Sequence, residues 1–322
     1  MKKIIRVIGL LGVISGCSLV ETVGVSTVGG IMFKATPAME QESDLDSLKE
    51  GIVSNLQFVE SLLYLDPENK DLLATLIKGH AGHGFAIHES DYLADQLADN
   101  GNETYKFKAL HSYAKAIDYG LRYLKIHNIL YENLTEAAKK NAGIEELLNM
   151  ELSNNQRNRE AILFAAQSMA AVINLSKDQM TIVAQLPIAK GMFDWVCKKD
   201  PTISFGACQI FYGGYEAGRP AMMGGNPEKG KQIFLKLIRS YPNNWLARVT
   251  FLQFYVIPMM DEELYKEQKL ALNKFEKLHQ ANRLWRPDRK KHKVFSESRL
   301  RLYQAMAIKR FRAIKKYEKE IF

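Results

Sequence analysis

Cys17 is the first residue whose setting implies chemistry. It follows Ile14-Ser15-Gly16, behind an apolar run from Val7 to Ile14 and a basic start of Lys2, Lys3 and Arg6. A positive n-region, a short h-region and small residues before a cut mark a secretory signal. A Cys straight after Ser-Gly resembles the bacterial lipobox, where the thiol is diacylated, the chain is cut between Gly16 and Cys17, and the new N-terminus is acylated. Residues 1–16 are therefore expected to be a lipoprotein signal peptide. Acyl chains such as palmitate on Cys17 would anchor the protein to a membrane, since two chains suffice for stable attachment. Ser18, standing where Asp would retain a lipoprotein in the inner membrane, points to the outer membrane.

Four other constellations invite a chemical reading. Cys197 and Cys208 flank the Pro201 turn. In an oxidising compartment they can pair across a hairpin; otherwise they pack as small buried residues. His80, His83 and His88 have metal-ligating side chains, but helical spacing turns His88 away from the other two, and no metal is expected. Gly225-x4-Gly230-Lys231 imitates a phosphate loop but continues with Gln232 instead of Ser or Thr, and no strand precedes it. Asn226 as a cap and Pro227 as a first helical residue explain it locally. Tyr212, Tyr215 and Arg219 either line a ligand cavity, with the guanidinium fork facing a carboxylate, or pack between helices while Arg219 holds a loop. There is no G-x-S-x-G elbow and no H-E-x-x-H. Neither an enzyme nor a cofactor is expected.

The elements that position these residues are helical. Leu45, Leu48, Ile52, Leu56, Val59, Leu62 and Leu63 recur at three and four, and no segment alternates between hairpin turns. One pattern repeats along the chain: a small or short residue, an aromatic or apolar at +4, an apolar at +3 more, and a Pro five beyond. It reads Asn55-Val59-Leu62-Pro67, Ala189-Phe193-Val196-Pro201 and Gly230-Phe234-Leu237-Pro242, with Ala109-Tyr113-Ala116 lacking the Pro. The pattern resembles the second helix of tetratricopeptide repeats, irregularly spaced, so the fold class expected is all-α, a divergent array of helical hairpins. The first helices of the pairs, near 70–88, 159–175, 203–217 and 243–256, are rich in Gly and Ala. That composition predicts close helix approach or a wall facing a cavity. Residues 127–158 read as an inserted hairpin and a loop.

Charge divides the chain further. The net +8 includes +3 in residues 1–16 and +9 in residues 285–322, where 13 Lys/Arg face 4 Asp/Glu; the body carries −4. A mildly acidic body excludes a basic groove for nucleic acid. No apolar run reaches the length of a membrane span. The domains expected are the signal 1–16, a tether 17–43 without helical periodicity, a helical-repeat domain 44–284, and a basic helical segment 285–322. That last segment reads as a capping helix with a solvated face, or as a contact for anionic lipid or an acidic partner.

A family resemblance rests on the block Gly206-Ala-Cys-Gln-Ile-Phe-Tyr-Gly-Gly-Tyr-Glu-Ala-Gly-Arg219-Pro220, on Gly224-Gly225-Asn226-Pro227-Glu228-Lys229-Gly230-Lys231, and on Phe234, Leu246-Ala247-Arg248-Val249 and Tyr255. With Pro67-Glu68-Asn69-Lys70-Asp71-Leu72-Leu73 and the 163–173 helix, it resembles the T component associated with TRAP transporters (the TatT family). The resemblance covers roughly residues 40–280. It implies a periplasm-facing lipoprotein that partners a TRAP-type solute-binding protein, passes a small apolar or organic-acid ligand through its helical body, and forms a homo-oligomer, a trimer being the expected form. A helical-repeat lipoprotein that scaffolds envelope assembly without a ligand is the alternative.

Overall fold

The computed structural model describes residues 23–285, 287 and 292–322, so Gly16, Cys17 and the signal lie outside the described residues, as do Arg286, Arg289, Lys290 and Lys291. Every regular element is helical and no strand occurs among the described residues. No helix there is long and apolar enough to cross a membrane.

Polar caps and prolines set the helix boundaries. Helix α1 (23–35) runs into a 3-10 turn, Thr36–Gln41. The Asp44 carboxylate accepts from the Asp46 and Ser47 amides to open α2 (Leu45–Leu65). Asn69 does the same for Asp71 and Leu72 at the start of α3 (Lys70–Gly82). Such caps satisfy amides that have no partner within the helix. Helix α3 continues through a π-helical stretch, His83–His88, into α4 (Glu89–Leu97). There follow α5 (Thr104–Lys125), the inserted pair α6 (Tyr131–Ala137) and α7 (Gly143–Glu151), α8 (Gln156–Leu175), the short α9 (Met180–Val183) and α10 (Leu186–Lys199). Next come α11 (Ala207–Gly218) and α12 (Pro227–Ser240), where Asn226 accepts from the Lys229 amide and Pro227 supplies the first turn. Helix α13 (Leu246–Phe251) leads into a second π-helical stretch, Leu252–Val256. The chain ends with α14 (Glu262–Arg283), α15 (Arg301–Lys316) and the short α16 (Glu318–Ile321).

The helices pair as α3 with α5, α8 with α10, and α11 with α12, while α13 follows α12. The recurring apolar positions sit at these contacts. Ala109, Tyr113, Ala116, Ala189, Phe193, Val196, Gly230, Phe234 and Leu237 are all buried; Asn55 is exposed. Gly230 shows why one position must be small. A Cβ there would lie 2.9 Å from the Gly213 carbonyl oxygen and from the Ala217 nitrogen, so α11 and α12 touch backbone to backbone.

Two sequence expectations change. The segment read as a tether without periodicity is helical from 23 to 35. Its Val25, Gly29 and Thr36 are buried, with Gly29 seated against Asn69 and Leu72. Residues at i, i+4 and i+11 share a face; β-branched and glycine residues obscured it, and contact with α3 decides the conformation. The basic C-terminal segment is likewise no solvated cap. Helix α15 buries Met306, Ala307, Ile308, Phe311 and Ile314, and Arg310 is fully buried. Three further bases pair with acids of the body: Lys309 with Asp91, and Arg312 and Lys315 both with Glu276 at 2.6 Å.

Candidate ligand cavity

The first helices of the pairs run parallel around a common space. Arg157 meets Asp71 at 2.9 Å and Glu160 meets Lys78 at 3.2 Å, so α8 and α3 advance together. Asn244 donates to the Phe205 carbonyl at one end, and further along a Cβ on Gly214 would lie 3.6 Å from the Phe254 ring, aligning α11 with α13. Helix α15 joins the same ring: Arg299 reaches Glu40 at its start, and Arg310 reaches Phe85 and Gln253 further on. Five helices therefore point one way, as the inner helices of a repeat array do.

Their inner faces enclose a cavity of about 290 Å³. Helix α3 and its extension contribute Lys78, Gly82, Phe85, Ala86 and Glu89; α8 contributes Phe164, Gln167, Ala170, Ala171 and Asn174; α11 contributes Ala207, Phe211, Gly214, Tyr215 and Gly218. Leu246 and Phe254 come from α13 and its π-helical extension, and Leu302, Tyr303 and Met306 from α15. The spacing is helical on each element. On α8 the lining extends from Phe164 to Lys177 in the following turn, roughly 20 Å at 1.5 Å per residue. The small residues thus divide between two roles. Gly82, Ala170, Ala171 and Gly214 open the wall, whereas Gly213 and Gly230 bring helices together.

Charge is confined to a few places. At the end where the helices start, Lys78 lies 2.8 Å from Glu40 and 3.2 Å from Glu160, and Arg299 donates to Glu40 at 2.7 Å. These carboxylates are nearly buried, and the positive helix N-termini favour them. Beside this network, burial pushes the Tyr303 hydroxyl pKa above its ordinary value. Midway, Glu89 accepts from the Tyr113 hydroxyl at 2.6 Å, with Arg310 behind it at 3.9 Å. Arg310 donates to the Phe85 carbonyl at 2.6 Å, to Ser90 Oγ at 2.9 Å and to Gln253 at 3.3 Å. It therefore ties together the two π-helical stretches, where the ordinary i→i+4 ladder is interrupted.

The opposite end is the mouth, with Asn174, Lys177, Leu186, Tyr215 and Arg219. A second cleft of about 580 Å³ meets the cavity at Leu186, Tyr215 and Arg219 and continues past Met180, Lys190 and Met223. Tyr215 and Arg219 thus line the cavity. Arg219 also fastens the loop that follows it, donating to the carbonyls of Tyr215 (2.9 Å), Met223 (2.7 Å) and Gly224 (3.0 Å), with its guanidinium 3.6 Å from the centre of the Tyr215 ring. Tyr212 faces elsewhere and is removed from the cavity set. Its hydroxyl donates to Asp194 at 2.6 Å, and burial together with that carboxylate raises its pKa. One helical step of 100° from Phe211 turns it toward α10.

The remaining constellations resolve structurally. Cys197 and Cys208 are joined by a disulfide, Cα–Cα 5.9 Å, which ties α10 to α11. His80 lies 3.0 Å from Glu60, and the rings of His83 and His88 are 4.3 Å apart. Burial lowers the pKa of His80 and of His88 to about 4 each. Among the described residues no three His, Cys, Asp or Glu side chains converge on a metal-sized site. Sequence reasoning overlooked Lys177 and Arg310. For Arg310 a signal existed: Tyr303, Met306, Ala307, Phe311 and Ile314 place it on the apolar stripe of α15. For Lys177, one base in a turn, there was none.

One protein-family profile, described as TRAP transporter T-component, matches residues 41–284. No curated protein matches the chain. The matched span holds four of the five helices around the cavity; Glu40 and α15, which complete the wall, lie outside it.

Proposed function

The chain belongs to the TRAP transporter T-component family, and from that premise we propose that it serves a TRAP-type transport system as a lipid-anchored, periplasm-facing component. In this reading Cys17 carries the lipid, the outer membrane is the site of attachment, and a TRAP-type solute-binding protein is the docking partner. The cavity holds a small apolar or organic-acid ligand in transit. The observation that carries the reading is the cavity itself. Inner faces of α3, α8, α11, α13 and α15 leave open a space that ordinary side chains would fill, since protein interiors are close-packed. Apolar walls with a few placed polar groups are the usual form of a small-molecule site. The cleft that meets the cavity at Tyr215 and Arg219 supplies a route toward a bound partner. The protein acts as a homo-oligomer, a trimer, and performs no catalytic step.

The test is direct binding between a Cys17→Ala form, expected to be released from membranes, and each periplasmic TRAP-type solute-binding protein of the same cell, by calorimetry. At least one should bind, and Met223→Glu, at the rim of the cleft, should weaken it. Binding by none of them, with recovery of envelope-assembly proteins instead, overturns the reading in favour of a scaffold.

A further inference from the structure

The cavity lining contains five charged side chains: Glu40, Lys78, Glu89, Lys177 and Arg219. Four of them are engaged by the protein. Lys78 is shared between Glu40 and Glu160, and Glu40 also receives Arg299. Glu89 accepts from Tyr113 with Arg310 behind it, and Arg219 spends its donors on three carbonyls. Lys177 alone has neither an ion pair nor a side-chain hydrogen bond among the described residues. It stands in the turn after α8, exposed on its outer side, while the protein around it removes enough water to lower its pKa. The C-terminus of α8 is reason enough for a lysine at that point. It does not explain why the one uncommitted charge of the lining sits at the open end of an apolar compartment.

A ligand complementary to this arrangement has one anionic head and one apolar body. We propose that the cavity takes an amphiphilic monocarboxylate, its unbranched chain lying along Ala170, Ala171 and Gly214 and its carboxylate paired with Lys177 at the mouth. A second carboxylate at the far end of the chain would be driven against apolar walls without a partner. A cationic head would meet Lys177 and Arg219. A neutral chain would leave Lys177 without a counter-ion. The proposal rests on the reading of the cavity as a ligand compartment and names the chemistry of its occupant.

The test uses the purified chain, a neutral apolar fluorophore (N-phenyl-1-naphthylamine), and displacement by dodecanoate, dodecanol, dodecyltrimethylammonium and dodecanedioate. Dodecanoate should displace the fluorophore at about a tenfold lower concentration than dodecanol, the scale of one charge-assisted contact. The other two should be weaker still. Lys177→Met, in an exposed turn with no ion pair or side-chain hydrogen bond to lose among the described residues, should abolish the difference between dodecanoate and dodecanol and leave dodecanol unchanged. Equal displacement by acid and alcohol in the wild type overturns the proposal, as does a preference that survives Lys177→Met. Fluorophore binding that no dodecyl compound reverses overturns the ligand class while leaving the compartment in place. No fluorophore binding at all overturns the compartment itself.

Discussion

Gly82→Leu separates the cavity from the packing that surrounds it. Gly82 has ordinary helical dihedrals, φ −63° and ψ −41°, so nothing in its backbone requires glycine. A Cβ built there meets no atom within 4 Å outside its own helix, and the residue lines the cavity. In a helix interior glycine costs about 1 kcal/mol relative to alanine or leucine. The substitution should therefore raise stability by about 1 kcal/mol, a shift of roughly 2 °C for a chain of this size. The isobutyl group should at the same time occupy the space a ligand needs. Guanidinium unfolding and fluorophore titration on the same preparation read both effects, which should have opposite signs: firmer fold, lost binding. Gly230→Ala is the control. Its Cβ would lie 2.9 Å from two backbone atoms of α11, so it should destabilise by about 1–3 kcal/mol through overpacking. Binding per folded molecule should be retained. A Gly82→Leu protein that is destabilised, or that still binds the fluorophore, would refute the cavity.

Three further outcomes follow from the same structure. Arg310→Met should lower stability by about 3–5 kcal/mol, measured by guanidinium unfolding, because Glu89 and the Phe85 carbonyl lose a fully buried cation. Reducing the Cys197–Cys208 bond, or replacing both residues by Ser, should cost about 3 kcal/mol from the loop entropy of an 11-residue separation; identical unfolding curves with and without reductant would contradict this. Acid should destabilise the fold well above the carboxylate range. His80 and His88 are buried enough to lower each pKa from 6.5 to about 4. The unfolded chain then takes up protons near pH 6.5 that the folded chain refuses until about pH 4. Stability is complete above 6.5 and falls as pH drops through that window, by on the order of 2–3 kcal/mol for each histidine. His80→Gln should flatten part of the slope.

Much of this architecture is legible in the spacing of a few residues. Ala189-Phe193-Val196-Pro201 and Gly230-Phe234-Leu237-Pro242 mark helix, contact face and stop in one pattern, and both segments fold that way. The cavity was half legible. The Gly and Ala content of α3, α8 and α11 announced missing side chains, but close approach and open wall both require them. Only the partner helix decides: a Cβ on Gly213 would lie 2.7 Å from the Phe234 ring, and one on Gly82 would meet nothing within 4 Å. Tyr212, Tyr215 and Arg219 share one side of the helical wheel, and only the Asp194 carboxylate, a long-range partner, draws Tyr212 away from the cavity. Helix 23–35 was hidden because Val25 and Gly29 are individually poor helix formers, and the face they share is fixed from outside, where Gly29 meets Asn69 and Leu72. Long-range ion pairs were beyond reach. Nothing local in Glu40 or Arg299, 259 residues apart, marks them as partners.

The proposed ligand compartment, open at Lys177, depends on the ring of parallel helices leaving its interior free. Diffraction from crystals of the chain soaked with ω-bromododecanoate tests this most directly. A bromine anomalous peak is expected inside the ring, among Gly82, Ala171 and Gly214, with carboxylate density beside the Lys177 ammonium. Bromine peaks confined to the outer surface, around a ring interior filled by protein side chains, would contradict it.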